Sequence, residues 1–310
     1  MDLIPEHTYQ ALNQFFSDLA GEKALLLDQI KDKILLNLPQ YARMGDFRQP
    51  VEKIDAIFLK KASLLSQNEQ IILKRALVAK LALNLPKMID KMNLPSSILE
   101  LYPDAFARLA DFLKRPSIDA YNVTSDYFRK DIRFALGLTV PCGTFVVDMF
   151  SRYRFRTVIR SFLRSGNIMV VLRYLKIKGY GPWFHMHIDQ RYTNDLNEHA
   201  HDQMYLRIAE LLKRNKHIRG TTGSSWLYDP QLLKISTRHA YIQLRPVERG
   251  AFLVRHGKGN VEQATMTSKS RRRLYEEGKY MPREYSMLWP RKELIAWAEQ
   301  KRRSLSLAEL

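Results

Sequence analysis

The chain has 310 residues, 45% of them hydrophobic, which is enough to bury a core in one large domain or two smaller ones. Its formal net charge of +18 indicates an anionic partner, such as nucleic acid, an anionic membrane face, an acidic carrier protein or a phosphorylated cofactor. The single cysteine, Cys142, excludes an intrachain disulfide and a cysteine-based zinc site.

Neither a signal peptide nor a transmembrane segment is expected from the sequence. The first residues lack a basic region before an apolar run, and the longest apolar run, residues 134–150, is too short and too interrupted to span a bilayer. We therefore expect a cytoplasmic protein.

Residues 1–115 are predicted to form a helical N-terminal region. Apolar residues recur every three or four positions in four segments, as is typical of amphipathic helices. The segments are residues 7–20, 22–38, 50–66 and 68–85. No catalytic spacing occurs in them, so we expect their apolar side chains to form a core.

Residues 116–310 are predicted to form an α+β domain whose mixed sheet is flanked by helices. The predicted strands are residues 167–178, 183–189, 217–226, 239–244, 250–257, 262–267 and 284–290. The predicted helices are residues 196–215, a short turn after Pro230, 268–278 and 290–302.

Polar and apolar residues alternate in the predicted strand 183–189, WFHMHID. Its apolar side chains would face the core, and those of His185, His187 and Asp189 would face water or a cleft. This pattern is compatible with a plain polar face, with a general base or substrate-orienting group, and with a metal site.

A metal could bind only two of these three side chains. Residues two apart in a strand are separated by about 6.6 Å, and the first and third by about 13 Å. A non-haem iron or zinc site would therefore need His185, His187 and a third ligand from the predicted helix 196–215, such as His201 or His199.

A second candidate site is the run of small residues that begins at Gly220. Small residues allow a ligand to approach the backbone, although the run lacks the P-loop lysine and the Gly-x-Ser-x-Gly elbow. The run is either a close-packed strand end or a ligand groove, with Tyr228 as a proton donor. The residues proposed to bind substrate are Gly223, Ser224, Ser225 and Trp226 of this run, together with Asp189 at the end of the predicted strand 183–189.

Positive charge is concentrated in residues 151–180, which contain six Arg, two Lys and no acid. A second cluster of basic residues, 271–273, lies in the first turn of the predicted helix 268–278, where cations oppose the helix dipole unless an anion is bound. Each cluster is either a solvated face or a surface that docks an anion or a carrier. The candidate docking residues are Arg152, Arg154, Arg156, Arg160, Arg164, Arg271, Arg272 and Arg273.

The order of elements in residues 165–260 resembles the GNAT fold of N-acyltransferases, especially its N-acyl amino acid synthase and acyl-homoserine-lactone-synthase-like branches. WFHMHID would match the central strand, which binds the pantetheine arm, and GTTGSSW the neighbouring strand, which splays away to form the acceptor cleft. The resemblance implies His185 or His187 as the base for an acceptor amine and Tyr228 as the acid. The glycine-containing pyrophosphate loop of the family has no counterpart in residues 189–201.

The leading hypothesis is therefore transfer of an acyl group from a carrier thioester to an amine, with no tightly bound cofactor. The co-substrate would be a thioester of coenzyme A or of acyl carrier protein, an acidic partner that the basic surface would dock.

Two other functions stay open: nucleic-acid binding by residues 151–180, where Arg and aromatic residues alternate, and a metal-dependent oxygenase or hydrolase that uses His185 and His187. Peripheral contact with the inner membrane surface is a further expectation, because the basic stretch adjoins the apolar residues 134–150.

Overall fold

The computed structural model describes residues 3–17, 19–36, 56–58, 60–115, 121, 126–188, 195–266 and 268–308. The chain divides into two compact units, Met1–Pro141 and Cys142–Leu310. The predicted site residue Asp189 and part of the predicted helix 50–66 lie outside the described residues.

The first unit consists mainly of helices, and α1, α2 and α3 coincide with predicted helical segments. Its elements are α1 (Glu6–Ser17), α2 (Glu22–Leu36), α3 (Gln67–Asn84), α4 (Pro86–Ile89), α5 (Ser96–Leu99), α6 (Tyr102–Lys114), α7 (Asp126–Ala135) and a short strand β1 (Thr139–Pro141).

Helix α3 is the central helix of this unit. A capping box starts it, in which the side chains of Ser66 and Glu69 each accept a hydrogen bond from the other residue's backbone N–H. Helix α7 packs against α3, and the ammonium group of the buried Lys74 lies 5.0 Å from the centre of the Phe128 ring. The first unit therefore continues beyond residue 115.

The second unit alternates strands and helices. Its strands are β2 (Phe145–Arg152), β3 (Pro182–Ile188), β4 (Gly220–Ser225), β5 (Phe252–Lys258) and β6 (Arg283–Pro290). Its α-helices are α8 (Phe155–Ser165), α9 (Ile168–Lys176), α10 (Glu198–Arg214), α11 (Leu232–Ile235), α12 (Tyr241–Glu248), α13 (Val261–Met266), α14 (Lys269–Glu276) and α15 (Arg291–Ala308). A 3₁₀ turn, Trp226–Tyr228, follows β4, and a second, Thr237–His239, precedes α12.

The five strands of this unit form a mixed sheet in the order β2-β3-β4-β6-β5. Strands β3 and β4 are parallel, and the pairs on either side of them are antiparallel. The predicted α+β class with a mixed sheet is confirmed.

Helices cover both faces of the sheet. On one face, Val158 of α8 and Tyr174 of α9 pack against Trp183, Val254 and Leu288. We call this the α8–α9 face.

On the opposite face, Tyr205 of α10 lies 4.7 Å from Trp289, and Trp289 lies 5.3 Å from Trp297 of α15, between ring centres. We call this the α10–α15 face. Since side chains alternate along a strand, each strand residue can be assigned to one face.

Three segments predicted as strands contain helices instead. The predicted strands at residues 167–178, 239–244 and 262–267 overlap α9, α12 and α13. Periodicity alone does not separate a short buried strand from a short buried helix. Two of these helices begin beside a capping asparagine: Asn167 accepts a hydrogen bond from the Met169 N–H, and Asn260 from the Gln263 N–H.

Among the described helices, none is both long and apolar enough to cross a membrane.

Candidate active site

The histidines of β3 lie on the α8–α9 face of the sheet. Phe184 and Met186 are buried on the other face, whereas His185 and His187 are partly exposed. The predicted alternation is thus confirmed for these four residues. The two imidazole rings lie side by side, with their centres 4.5 Å apart.

His187 is hydrogen-bonded to a buried carboxylate that sequence reasoning missed. Its Nε2 lies 2.8 Å from Oδ2 of Asp148, which is on the neighbouring strand β2. Asp148 pairs with His185 in the β2–β3 register, so it lies diagonally across from His187 on the same face. Such a carboxylate fixes the orientation and tautomer of an imidazole, as a general base requires.

A second polar cluster lies on the same face. The hydroxyl of Ser286 is 2.6 Å from the Ser224 hydroxyl and 2.6 Å from Nε2 of His256. The Tyr153 hydroxyl is 3.1 Å from the same Nε2 atom. Burial lowers the pKa of His256, so this ring is neutral at neutral pH. Ser224 was predicted as a substrate-binding residue, and the other three residues were not.

The parallel strands β3 and β4 stop pairing beside these polar residues. Their ladder runs from Phe184 opposite Thr221 to Met186 opposite Gly223 and ends there, although both strands continue. His187 and Ser224 are the first residues beyond it, and both lie on the α8–α9 face. The end of the ladder is therefore bordered by a base and a hydroxyl.

Tyr228 lies on the other side of the sheet. A Cβ atom added at Gly223 would be 3.1 Å from the Tyr228 hydroxyl and 3.4 Å from the Met186 side chain, which places this hydroxyl on the α10–α15 face. Burial raises the pKa of Tyr228, so its hydroxyl stays protonated. The structure does not bring Tyr228 together with His185 and His187 on one face; it places them on opposite sides of the last β3–β4 pair.

Ser225 and Trp226, the other predicted groove residues, make contacts within the protein that stabilise the turn after β4. The Ser225 hydroxyl accepts a hydrogen bond from the Leu227 N–H and so caps the 3₁₀ turn. The Trp226 ring lies 4.9 Å from the guanidinium carbon of Arg271. Both residues shape the turn that holds Tyr228.

The expectation that Arg271 docks an anion is wrong, because this side chain is buried. It donates hydrogen bonds to the Ala264 carbonyl at 2.6 Å and to the Ser236 hydroxyl at 3.1 Å. Arg272 and Arg273 are exposed, and Arg273 forms an ion pair with Glu277 at 3.4 Å. The basic start of α14 thus has protein partners for two of its three arginines.

The other candidate docking arginines are exposed. These are Arg152, Arg154, Arg156, Arg160 and Arg164, which lie just before or on α8. Of the aromatic residues near them, Tyr153 and Tyr174 are buried in the core under this face. Phe155 is 41% exposed, but its ring stacks on that of Tyr174, with the ring centres 5.8 Å apart. Rings that are buried or already stacked offer little surface to a base, so the structure does not favour the nucleic-acid interpretation.

The proposed metal set is not brought together. His201 is fully buried on the α10–α15 face, where it packs against Tyr205, Tyr241 and Phe145, away from His185 and His187. Burial lowers the pKa of His201 to about 3. His199 is exposed. Within the described part of the chain, no group of three His, Cys, Asp or Glu residues is arranged to hold a metal ion.

Comparison with known proteins shows the fold. No family model matches the chain, and no curated protein matches it significantly. A solved acyltransferase in complex with CoA and 10C-teicoplanin aligns with a TM-score of 0.52 and 13% identity, over 93% of this chain and 89% of that one.

A second structure, an acyltransferase in complex with decanoyl-CoA and teicoplanin, aligns with a TM-score of 0.50 and 14% identity, over 93% of this chain and 85% of that one. The chain shares the fold of these acyltransferases.

Proposed function

We propose that this protein is an N-acyltransferase that moves an acyl group from a carrier thioester to an amine, and that its second unit has a GNAT-like fold. One observation carries the proposal. The β3–β4 ladder ends between the His187–Asp148 pair on one face and the protonated hydroxyl of Tyr228 on the other. A thioester that enters where the strands part would meet a base and a hydrogen-bond donor from opposite sides.

The strand pattern and the comparisons support the GNAT-like assignment. A single parallel pair, β3–β4, has antiparallel neighbours on both sides, and a long helix, α10, connects its two strands. In the GNAT fold the corresponding strands hold the pantetheine arm and form the acceptor cleft. Acyltransferases with the same fold were solved with CoA or an acyl-CoA, which is consistent with a thioester donor here.

In the proposed reaction, His187 takes a proton from the acceptor amine while the amine nitrogen attacks the thioester carbonyl. The new C–N bond forms, the C–S bond breaks, and negative charge develops on the departing sulfur. Asp148 holds the imidazole of His187 in position and stabilises it once it is protonated. The two residues together perform general-base catalysis.

Tyr228 would act on the departing sulfur. Burial raises the pKa of this tyrosine well above that of a thiol, so complete proton transfer to the sulfur is unfavourable. A hydrogen bond from the hydroxyl to the sulfur is favourable at every stage in which charge accumulates. Its main contribution would therefore be to stabilise the developing thiolate.

The acyl donor is a thioester of coenzyme A or of acyl carrier protein. The start of α10, where the GNAT pyrophosphate loop would lie, carries the acidic Glu198, and the side chain of Asn197 already accepts a hydrogen bond from the Ala200 N–H. Both features reduce the attraction of this helix start for a pyrophosphate. We therefore propose acyl carrier protein as the preferred donor.

The experiment measures thiol release from acyl-CoA and acyl carrier protein thioesters in the presence of mixed amines, with mass spectrometry of the acylated products. His187→Gln should lower the turnover number at least about 10²-fold, which is the usual contribution of a general base. His217→Gln, which changes an exposed histidine of the same unit, serves as the matched control and should retain activity.

The proposal of acyl transfer fails if the wild-type protein releases no thiol from either class of donor. The assignment of His187 as the base is wrong if His187→Gln is as active as the wild type and thermal unfolding shows that the variant is folded. Faster turnover with acyl-CoA than with the carrier thioester would reverse the proposed donor preference alone.

A further inference from the structure

Helix α9 is apolar on two sides, and only one side is buried. Val170, Val171 and Tyr174 pack on the sheet. A second row of large apolar side chains on α8 and α9 is between 47% and 74% exposed. This row consists of Leu163, Ile168, Met169, Leu172 and Leu175.

These side chains are close together in one helical hairpin and are not scattered over the unit. Ile168, Leu172 and Leu175 are spaced by four and three residues, so they lie along one stripe of α9. Leu163 is in the last turn of α8, one tight turn away. Exposed apolar side chains clustered in this way mark a binding surface.

The connection between the two helices is well fixed. Gly166 ends α8 in the left-handed region, with φ of 68°, which glycine adopts without steric cost, and Asn167 caps α9. The buried Tyr174 hydroxyl donates to the Tyr153 carbonyl at 2.6 Å, and the Arg255 N–H donates to the Ser161 hydroxyl at 2.8 Å. The hairpin is thus tied to the sheet with its apolar row facing outward.

Basic side chains lie on the same hairpin as this row, and the hairpin itself carries no acid. Residues 151–180 contain no Asp or Glu. Arg156, Arg160 and Arg164 are exposed and spaced by four residues along α8, and Lys176 and Lys178 are exposed at the end of α9. Exposed aliphatic side chains next to a run of basic residues are typical of surfaces that lie on anionic lipid.

We propose that the α8–α9 hairpin binds the surface of an anionic phospholipid membrane, with its aliphatic side chains inserted and its arginines and lysines on the headgroups. The sequence predicts that the apolar residues 134–150 contact the membrane, but Phe145 and Val147 of that segment are buried in the sheet. The apolar side chains that would enter the membrane are those of α8 and α9 instead. The proposal does not depend on the reaction at His187.

The charge and the side-chain types favour lipid over other anionic partners. The exposed apolar residues at the patch are mainly aliphatic, and aliphatic side chains neither stack on bases nor read their edges. An acidic protein could pair with the arginines alone. A lipid surface satisfies the aliphatic row and the cations at once.

The test is flotation of the full-length protein with phosphatidylcholine vesicles that contain or lack phosphatidylglycerol. We expect binding to the anionic vesicles only, and weaker binding as salt is raised. Leu172→Gln/Leu175→Gln should lower the fraction bound at least about tenfold, because both side chains would insert.

Arg156→Gln/Arg160→Gln should also lower the fraction of protein bound to anionic vesicles at least about tenfold, since each basic residue near an anionic surface raises the affinity about fivefold. Controls elsewhere on the surface are Leu64→Gln, which alters an exposed leucine of the first unit, and Lys216→Gln/Lys292→Gln, which removes the same charge from two exposed lysines. Both controls should bind like the wild type. Thermal unfolding of every variant shows that the fold is kept.

Three results would overturn the proposal. The first is no binding to anionic vesicles at low salt, and the second is equal binding by the wild type and both hairpin variants. The third is that the protein binds acyl carrier protein or an oligonucleotide through Leu172 and Arg156 but does not bind vesicles. Loss of thioester turnover with intact vesicle binding would refute the proposed reaction and leave this inference standing.

Discussion

His187 and Asp148 form a pair in which one partner is accessible and the other is not. Their side chains meet at 2.8 Å across the antiparallel strands β2 and β3, with the His187 side chain 36% exposed and that of Asp148 only 5% exposed. A buried carboxylate has few other positions to adopt, so it holds the imidazole in one orientation. The accessible imidazole of His187 can then contact a substrate, while the buried carboxylate of Asp148 orients it, as a general-base pair requires.

The first prediction concerns Asp148. Asp148→Asn keeps the size of the side chain but removes the charge that stabilises protonated His187, so the turnover number should fall by about 10² to 10⁴ while KM changes little. Steady-state kinetics with the preferred thioester donor measures both constants. An unchanged turnover number in a folded variant would show that Asp148 does not assist the base.

The second prediction uses the close approach of Gly223 and Tyr228. Gly223→Ala places a methyl group 3.1 Å from the Tyr228 hydroxyl, so it should lower the free energy of unfolding by about 1 to 3 kcal/mol. Tyr228→Phe removes the crowded oxygen. Gly223→Ala should therefore cost about 1 kcal/mol less in the Tyr228→Phe background, as a double-mutant cycle in urea can measure.

Equal cost in both backgrounds would mean that the hydroxyl is not the atom that the added methyl group displaces. Turnover offers a second readout. Both single variants should slow thiol release, because each one disturbs or removes the hydrogen bond proposed for the departing sulfur.

The sequence pattern was enough to predict much of the sheet. Strand-forming residues and turn signals predicted β3, β4, β5 and β6, and alternation in β3 put His185 and His187 on one face. It could not distinguish α9 from a strand, because the apolar residues of that helix lie on both its buried and its exposed sides. The capping Asn167 was the local signal of a helix start.

The missing site residues could not be found from any local pattern. Asp148 precedes His187 by 39 positions, and Tyr153 precedes His256 by 103. Only the strand order and register bring them together, and periodicity carries no information on either. An acid inside the apolar segment 134–150 was the one available hint, since a buried carboxylate requires a partner.

The third prediction concerns the hydroxyl cluster. Ser286 is fully buried and contacts both Ser224 and His256, whereas Ser224 is half-buried and contacts Ser286. Ser286→Ala should therefore lower the free energy of unfolding by about 1 to 3 kcal/mol, because it leaves buried polar atoms without their partner. Ser224→Ala should cost less, and chemical denaturation compares the two. A larger cost for Ser224→Ala would contradict this order.

The fourth prediction is a pH dependence of stability that arises from His201. Burial lowers its pKa from about 6.5 in the unfolded chain to about 3, and neither ring nitrogen has a hydrogen-bond partner among the described residues. Below pH 6.5 the unfolded chain therefore binds a proton that the folded protein does not. Stability is lost as the pH falls from about 6.5 towards 3, by about 2 kcal/mol at pH 5 for this group.

His201→Phe removes this titration and keeps an aromatic ring among Phe145, Tyr205 and Tyr241. The difference in the free energy of unfolding between the variant and the wild type should thus favour the variant by about 2 kcal/mol more at pH 5 than at pH 8. Urea unfolding at the two pH values gives the difference directly. His217→Gln, which alters an exposed histidine, should show no such gain, and an equal stability difference at both pH values for His201→Phe would place the acid sensitivity elsewhere.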